Sequence, residues 1–184
     1  MNSIIEQDLY RYEGEKCKSW LMKLRYILFT PSFTFIYCFR KAQTSHWKPA
    51  QSFWKILHRL IMWSTGIQIP VETQIAPGFR IVHFGTIVVN PGAKIGKNFN
   101  LAQGTLIGNS QGKKSGVPTI GGNVCMQANS VIVGGITIGN NVLIAPGAFV
   151  NFDVPDNSIV IGNPGKIITR ESSPTDKYIV FRLP

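Results

Sequence analysis

Between Lys16 and Arg59 the chain contains no Asp or Glu, against nine basic residues: Lys16, Lys18, Lys23, Arg25, Arg40, Lys41, Lys48, Lys55 and Arg59. Acids are scarce throughout, nine in 184 residues against 19 Lys and Arg, which leaves a net charge of +10. A run of one sign fits nucleic acid, an anionic membrane surface or a phosphorylated substrate, or else a solvated helical face. No nucleic-acid-binding motif accompanies it, so nucleic acid is not expected as a partner. A long apolar run is also missing. The nearest, Ile27 to Phe39, is broken by Pro31 and falls short of the roughly 20 residues that span a bilayer. Met1 to Glu15 carries acids and polar residues and lacks a signal-peptide layout. Cysteine is rare: Cys17, Cys38 and Cys125 are odd in number and scattered, which predicts reduced thiols in a cytoplasmic protein. Histidine is as rare. A zinc site needs about three nitrogen or sulfur ligands, and the chain has only His46, His58 and His83, so no metal is expected.

What remains is 44% hydrophobic and 15% charged, the composition of a folded chain. It divides near Gly66. Residues 1–66 read as a short helical region, with Trp20, Leu21, Leu24, Ile27 and Leu28, then Phe53, Ile56, Leu57, Leu60, Ile61 and Trp63, at helical spacing. Gly66 is a natural helix stop. The aromatics Trp47, Phe53 and Trp54 are expected to be packing material.

After Gly66 the period becomes six. Aliphatics stand at Ile69, Ile75, Ile81 and Ile87, then at Ile95, Leu101 and Ile107. After an excursion over 108–119 they resume at Ile120, Met126, Ile132, Ile138, Ile144 and Val150. Neither a 3.6-residue helix nor a simple alternating strand produces this. Every sixth side chain points one way only if the chain turns a corner after each short strand. Three corners close a triangular coil of about 18 residues, each stacked about 4.8 Å from the last. The aliphatics then form ladders inside a prism, and Gly, Asn and Pro serve the corners. The expected fold is mainly β, a parallel β-helix over 67–168, with a tail over 169–184.

These hexads resemble the hexapeptide-repeat acyltransferases, whose β-helix is left-handed. The landmarks are Gly66-Ile67-Gln68-Ile69-Pro70, Ile81-Val82-His83-Phe84-Gly85, the excursion Gly108 to Thr119, and Ile161-Gly162-Asn163-Pro164-Gly165-Lys166. Within that family the segment is similar to the serine acetyltransferase branch, and especially to its bacterial polysaccharide O-acetyltransferase relatives. Asp8-Leu9-Tyr10-Arg11 and Pro31-Ser32-Phe33 in the front end share the likeness.

The resemblance implies acetyl-CoA as donor, a homotrimer with sites between adjacent prisms, and a loop at 108–119 that reaches toward a neighbouring subunit. An alcohol is a poor nucleophile until its proton is removed, so a base is required. The resemblance puts that base at His83, with Gln68 in the place of its orienting carboxylate and Glu72 as an alternative. The coenzyme arm is expected along Gln127, Ala128, Ala145, Gly147, Asn163 and Pro164, with Lys166 and Arg170 at its phosphates. Phe84, Asn109 and Val117 would line the acceptor cleft. In serine enzymes Val82 is an Asp and Val117 a His, polar groups that help to hold the amino acid. Their absence, with Gln68, favours a sugar hydroxyl in a capsular polysaccharide, exopolysaccharide or lipid-linked glycan. Serine acetylation is the alternative, and a non-catalytic scaffold a third reading. The basic front end suggests peripheral contact with an anionic membrane surface, at its inner face.

Overall fold

A computed structural model describes residues 3–184; Met1 and Asn2, the start of the acidic and polar front segment, lie outside the described residues. The front end forms α1 (Ile4–Glu13), a 3-10 turn (Gly14–Lys18), α2 (Trp20–Phe29), α3 (Pro31–Thr44) and α4 (Lys48–Thr65). Ser3 caps α1, its Oγ accepting the Glu6 N–H at 3.2 Å. Pro31 opens α3 rather than merely breaking a run: at a first-turn position its missing N–H leaves no intrahelical bond unmade. Gly66 ends α4 in the left-handed region, at φ 70°.

Short strands of two to four residues follow and pair into three sheets, the faces of a coiled prism. Face one holds 67–68, 87–89, 106–108, 131–133 and 149–150. Face two holds 74–75, 94–95, 119–120 and 137–138. Face three holds 80–81, 100–101, 125–126, 143–144 and 158–161. All of these pairings are parallel, so Ile81 stacks on Leu101, Leu101 on Met126 and Met126 on Ile144. Every one of the thirteen aliphatic positions is buried, none more than 6% exposed. The edge joining face two to face three is an asparagine ladder. Asn98, Asn123, Asn141 and Asn157 all sit at φ 54–58°, a region asparagine tolerates better than most side chains. Each of the first three donates from Nδ2 to Oδ1 of the next at 2.9–3.0 Å.

The coil ends differently from the parallel repeat. Strand 166–169 turns back antiparallel on 158–161, and the tail then runs over the outer side of face three. Ile179 packs on Cys125 and Leu143, the Asn100 side chain donates to the Tyr178 carbonyl at 2.9 Å, and Leu183 exchanges two bonds with Asn98.

The helices meet the prism through a buried latch. Arg40 Nε donates to Asp8 Oδ2 at 2.7 Å, and its Nη atoms donate to the Ile75 and Ala76 carbonyls. Asp8 Oδ1 also accepts the Gly78 and Phe79 N–H groups at 2.8 and 2.9 Å. Lys23 pairs with Glu6 and Lys18 with Glu15. Three of the nine basic residues are therefore paired with acids from the segment before Lys16.

One correction concerns the apolar stripes. The largest helical contribution to the core comes from α3, through Phe33, Phe35, Ile36 and Phe39, with Leu9 of α1 beside them. The periodic residues of α2 and α4 largely face outward: Trp20, Leu21, Leu24 and Leu28 are exposed, as are Trp47, Phe53, Ile56, Leu60 and Trp63. No described helix is both long and apolar enough to cross a membrane.

His58 on α4 is buried between the Phe35 and Phe39 rings, with centroids 5.0 and 5.8 Å away, and its Nε2 has no partner among the described residues. Burial pushes its pKa down to about 4. An unfolded histidine protonates near 6.5, so below that pH the unfolded chain binds the proton and the folded one does not. Stability is full above pH 6.5 and should fall by about 3 kcal/mol as pH drops toward 4. Urea midpoints between pH 7 and 4.5 test this: His58→Leu should flatten the fall, and an unchanged slope would assign it to the carboxylates alone.

Candidate active site

Five turns of chain pass along the edge that joins face three to face one: 82–86, 102–105, 127–130, 145–148 and 162–165. The ladder bonds stack them, with the N–H groups of Val82, Ala102, Gln127 and Ala145 donating to Leu101, Met126, Ile144 and Val160 at 2.8–3.1 Å. His83 is on the first turn, exposed at the corner instead of following the inward alternation from Ile81. One rung on comes Gln103, then Ala128, Pro146 with Gly147, and Asn163 with Pro164. Gln127, Ala128, Ala145, Gly147, Asn163 and Pro164 thus share one edge with His83. Four rungs of about 4.8 Å separate its ends, roughly 19 Å.

A cleft of about 290 Å³ lies between this edge, face three and the returning tail. His83, Gln103, Gln127 and Ala128 form its corner side, Arg80, Asn100 and Cys125 its floor, and Tyr178 its far wall. Cys125 Sγ accepts from Gln127 Nε2 at 3.2 Å. Burial raises the Cys125 thiol to about 11, so it stays protonated at neutral pH and is no nucleophile. Arg80, Gln103, Cys125 and Tyr178 are not among the residues expected from sequence. Arg80 and Cys125 could have been found by reading columns, since Arg80 stands over Asn100 and Asn100 over Cys125.

Other expected residues lie elsewhere. Gln68 is an exposed position on face one, in register with Val88, and makes no hydrogen bond to His83. Glu72 is corrected: it turns the corner from face one to face two, beside His58 and Arg59, and lines clefts that do not include His83. Phe84 is exposed next to His83. Asn109 and Val117 belong to the excursion, which replaces the corner from face one to face two; Val117 packs on Gly92, where an added Cβ would approach it to 3.0 Å. The excursion lies back on its own prism, with Gly135 N–H donating to the Lys114 carbonyl at 2.9 Å and Lys114 Nζ paired to Asp153. Lys166 is exposed at the end of the small-residue edge, but Arg170 is at the opposite end of its strand, its N–H bonded to the Asn157 carbonyl. Among the described residues no cluster of three or more His, Cys, Asp or Glu side chains could hold a metal ion.

No family model matches the chain. Individual proteins do. A serine acetyltransferase of Synechococcus elongatus is 32% identical over 163 residues, covering 88% of this chain and 66% of that protein. One from Helicobacter pylori is 29% identical over 152 residues, covering 81% of this chain and 88% of its own. Among solved structures, Neisseria gonorrhoeae serine acetyltransferase superposes with a TM-score of 0.71 at 25% identity, covering 95% of this chain and 69% of that one. Brucella abortus serine acetyltransferase in complex with coenzyme A superposes equally well, 0.71, at 24% identity, covering 92% of this chain and 67% of that one.

The coiled prism, its small-residue edge and these relatives make the chain similar to the acetyl-CoA-dependent O-acetyltransferases of the hexapeptide-repeat kind, and it spans about two thirds of the length of the first of them. Among these it is similar to the serine acetyltransferases. That corrects the expected sugar acceptor, since these relatives are serine acetyltransferases and not glycan enzymes. Within one chain Val117 and His83 stand on different edges of the prism.

Proposed function

We propose that the chain transfers acetyl from acetyl-CoA to the hydroxyl of serine, with His83 as general base, on a left-handed coil assembled as a trimer. The observation that carries this reading is the position of His83 at the head of an edge of small residues, in a chain similar to serine acetyltransferases over most of its length. The pantetheine arm follows Ala128, Ala145, Gly147 and Asn163, and Lys166 meets the diphosphate as a point charge. The imidazole takes the hydroxyl proton as the oxygen attacks the thioester carbonyl carbon. The tetrahedral intermediate then collapses, the C–S bond breaks, and the imidazolium returns the proton to the departing thiolate. Transfer is direct, because the one thiol in the cleft is held protonated. In the trimer the excursion of a neighbouring copy closes the side of the cleft that this chain leaves open.

Release of free CoA from acetyl-CoA tests the reading. L-Serine should accelerate release well above the acceptor-free rate, with a hyperbolic dependence on its concentration. No acceleration at tens of millimolar L-serine would overturn the choice of acceptor.

A further inference from the structure

One cation in the His83 cleft has no anion to pair with among the described residues. Arg80 projects outward from face three, and its guanidinium carbon lies 5.2 Å from the Tyr12 ring centroid. Among the described residues its side chain makes no hydrogen bond or ion pair, and its Nε is shut off from solvent without an acceptor. Beside it Arg11 is fully buried, donating to Asn100 Oδ1 at 2.6 Å and to the Val180 carbonyl at 3.1 Å. Burial, and secondarily the charge of Arg80, pull the Arg11 pKa down to about 10. Among the described residues no Asp or Glu lines the cleft. Two neighbouring guanidiniums, one of them part desolvated and unpaired, are unfavourable until an anion joins them.

We propose that Arg80, backed by Arg11, forms an anion subsite in the cleft that takes an oxyanionic group of the acceptor and so holds the acceptor hydroxyl against His83. A carboxylate fits the planar fork of a guanidinium with two parallel hydrogen bonds, and a phosphate offers the same oxygens. The group belongs to the acceptor rather than to coenzyme A because the subsite adjoins the base, whereas Lys166 lies roughly 19 Å down the edge. This rests on the acetyl-transfer reading and deepens it, because free serine carries the carboxylate that Arg80 lacks.

The test compares L-serine with L-serinamide, which keeps the hydroxyl and lacks the carboxylate, in the full-length wild type and in Arg80→Met, whose stem keeps the packing on Tyr12. Wild type should favour serine by about 10- to 100-fold in kcat/KM, the value of a charged hydrogen-bonded pair. Arg80→Met should lose most of that preference through serine KM, with acetyl-CoA KM and melting temperature unchanged, and Arg80→Lys should regain part of it. Undiminished preference in Arg80→Met, or a rise confined to acetyl-CoA KM, would overturn the proposal. A second arm does not depend on turnover: formate and inorganic phosphate are titrated while the His83 imidazole is followed by NMR. Saturable shifts in wild type that vanish in Arg80→Met support the subsite even if serine is never acetylated, which would count against the acceptor alone. Unsaturable shifts with both anions would overturn the subsite, and a preference for phosphate would identify a phosphorylated acceptor.

Discussion

His83→Ala is expected to lower serine-dependent turnover by about 10²- to 10⁴-fold, the range that a positioned general base contributes. The loss should appear in kcat and leave acetyl-CoA KM nearly unchanged, since the imidazole acts on the acceptor hydroxyl and not on the coenzyme arm. His83 is exposed at a corner and its side chain makes no hydrogen bond among the described residues, so the variant should melt with the wild type. That separates a chemical loss from a folding defect. Fully retained turnover would move the base to another group. Glu72 would not be that group, because it turns a different corner of the prism.

The second large effect concerns the latch between helices and prism. Asp8→Ala leaves the Arg40 guanidinium buried without its carboxylate, and leaves the Gly78 and Phe79 N–H groups without an acceptor. Breaking a buried pair from one side typically costs about 3–5 kcal/mol, because the surviving charge stays desolvated. Urea unfolding should therefore shift by that amount in Asp8→Ala and by much less in the double variant Asp8→Ala, Arg40→Met, where no charge is stranded. Equal loss in the two variants would mean that packing rather than charge dominates the latch.

The prism was legible because its signal is redundant. Thirteen aliphatics at six-residue steps leave one way to bury them all, and all are buried. The helices were less legible. Phe53, Ile56, Leu60 and Trp63 carry a helical period, but periodicity says only that a stripe exists, not which neighbour covers it. The buried helix is α3, whose Phe33, Phe35, Ile36 and Phe39 are crowded too closely to read as a single stripe. Pairing was hidden by distance along the chain: Asp8 and Arg40 are 32 residues apart. At the site, His83 stood out as the single histidine of the repeat. Arg80 and Gln103 did not, because outward positions of a hexad vary freely and only the stacking of coils brings them to the same cleft. Val117 misled for the complementary reason, since residues that share a pocket in an assembly need not share an edge in one chain.

The proposed reaction is direct acetyl transfer to serine oxygen in the His83 cleft. It is tested most directly by mixing the protein with one equivalent of carbonyl-¹³C acetyl-CoA and L-serine and following the label by mass spectrometry. Label should pass from CoA to O-acetylserine with no labelled protein at any time, and His83→Ala should abolish this on the same time scale. Label accumulating on the protein, or appearing only as acetate, would contradict it.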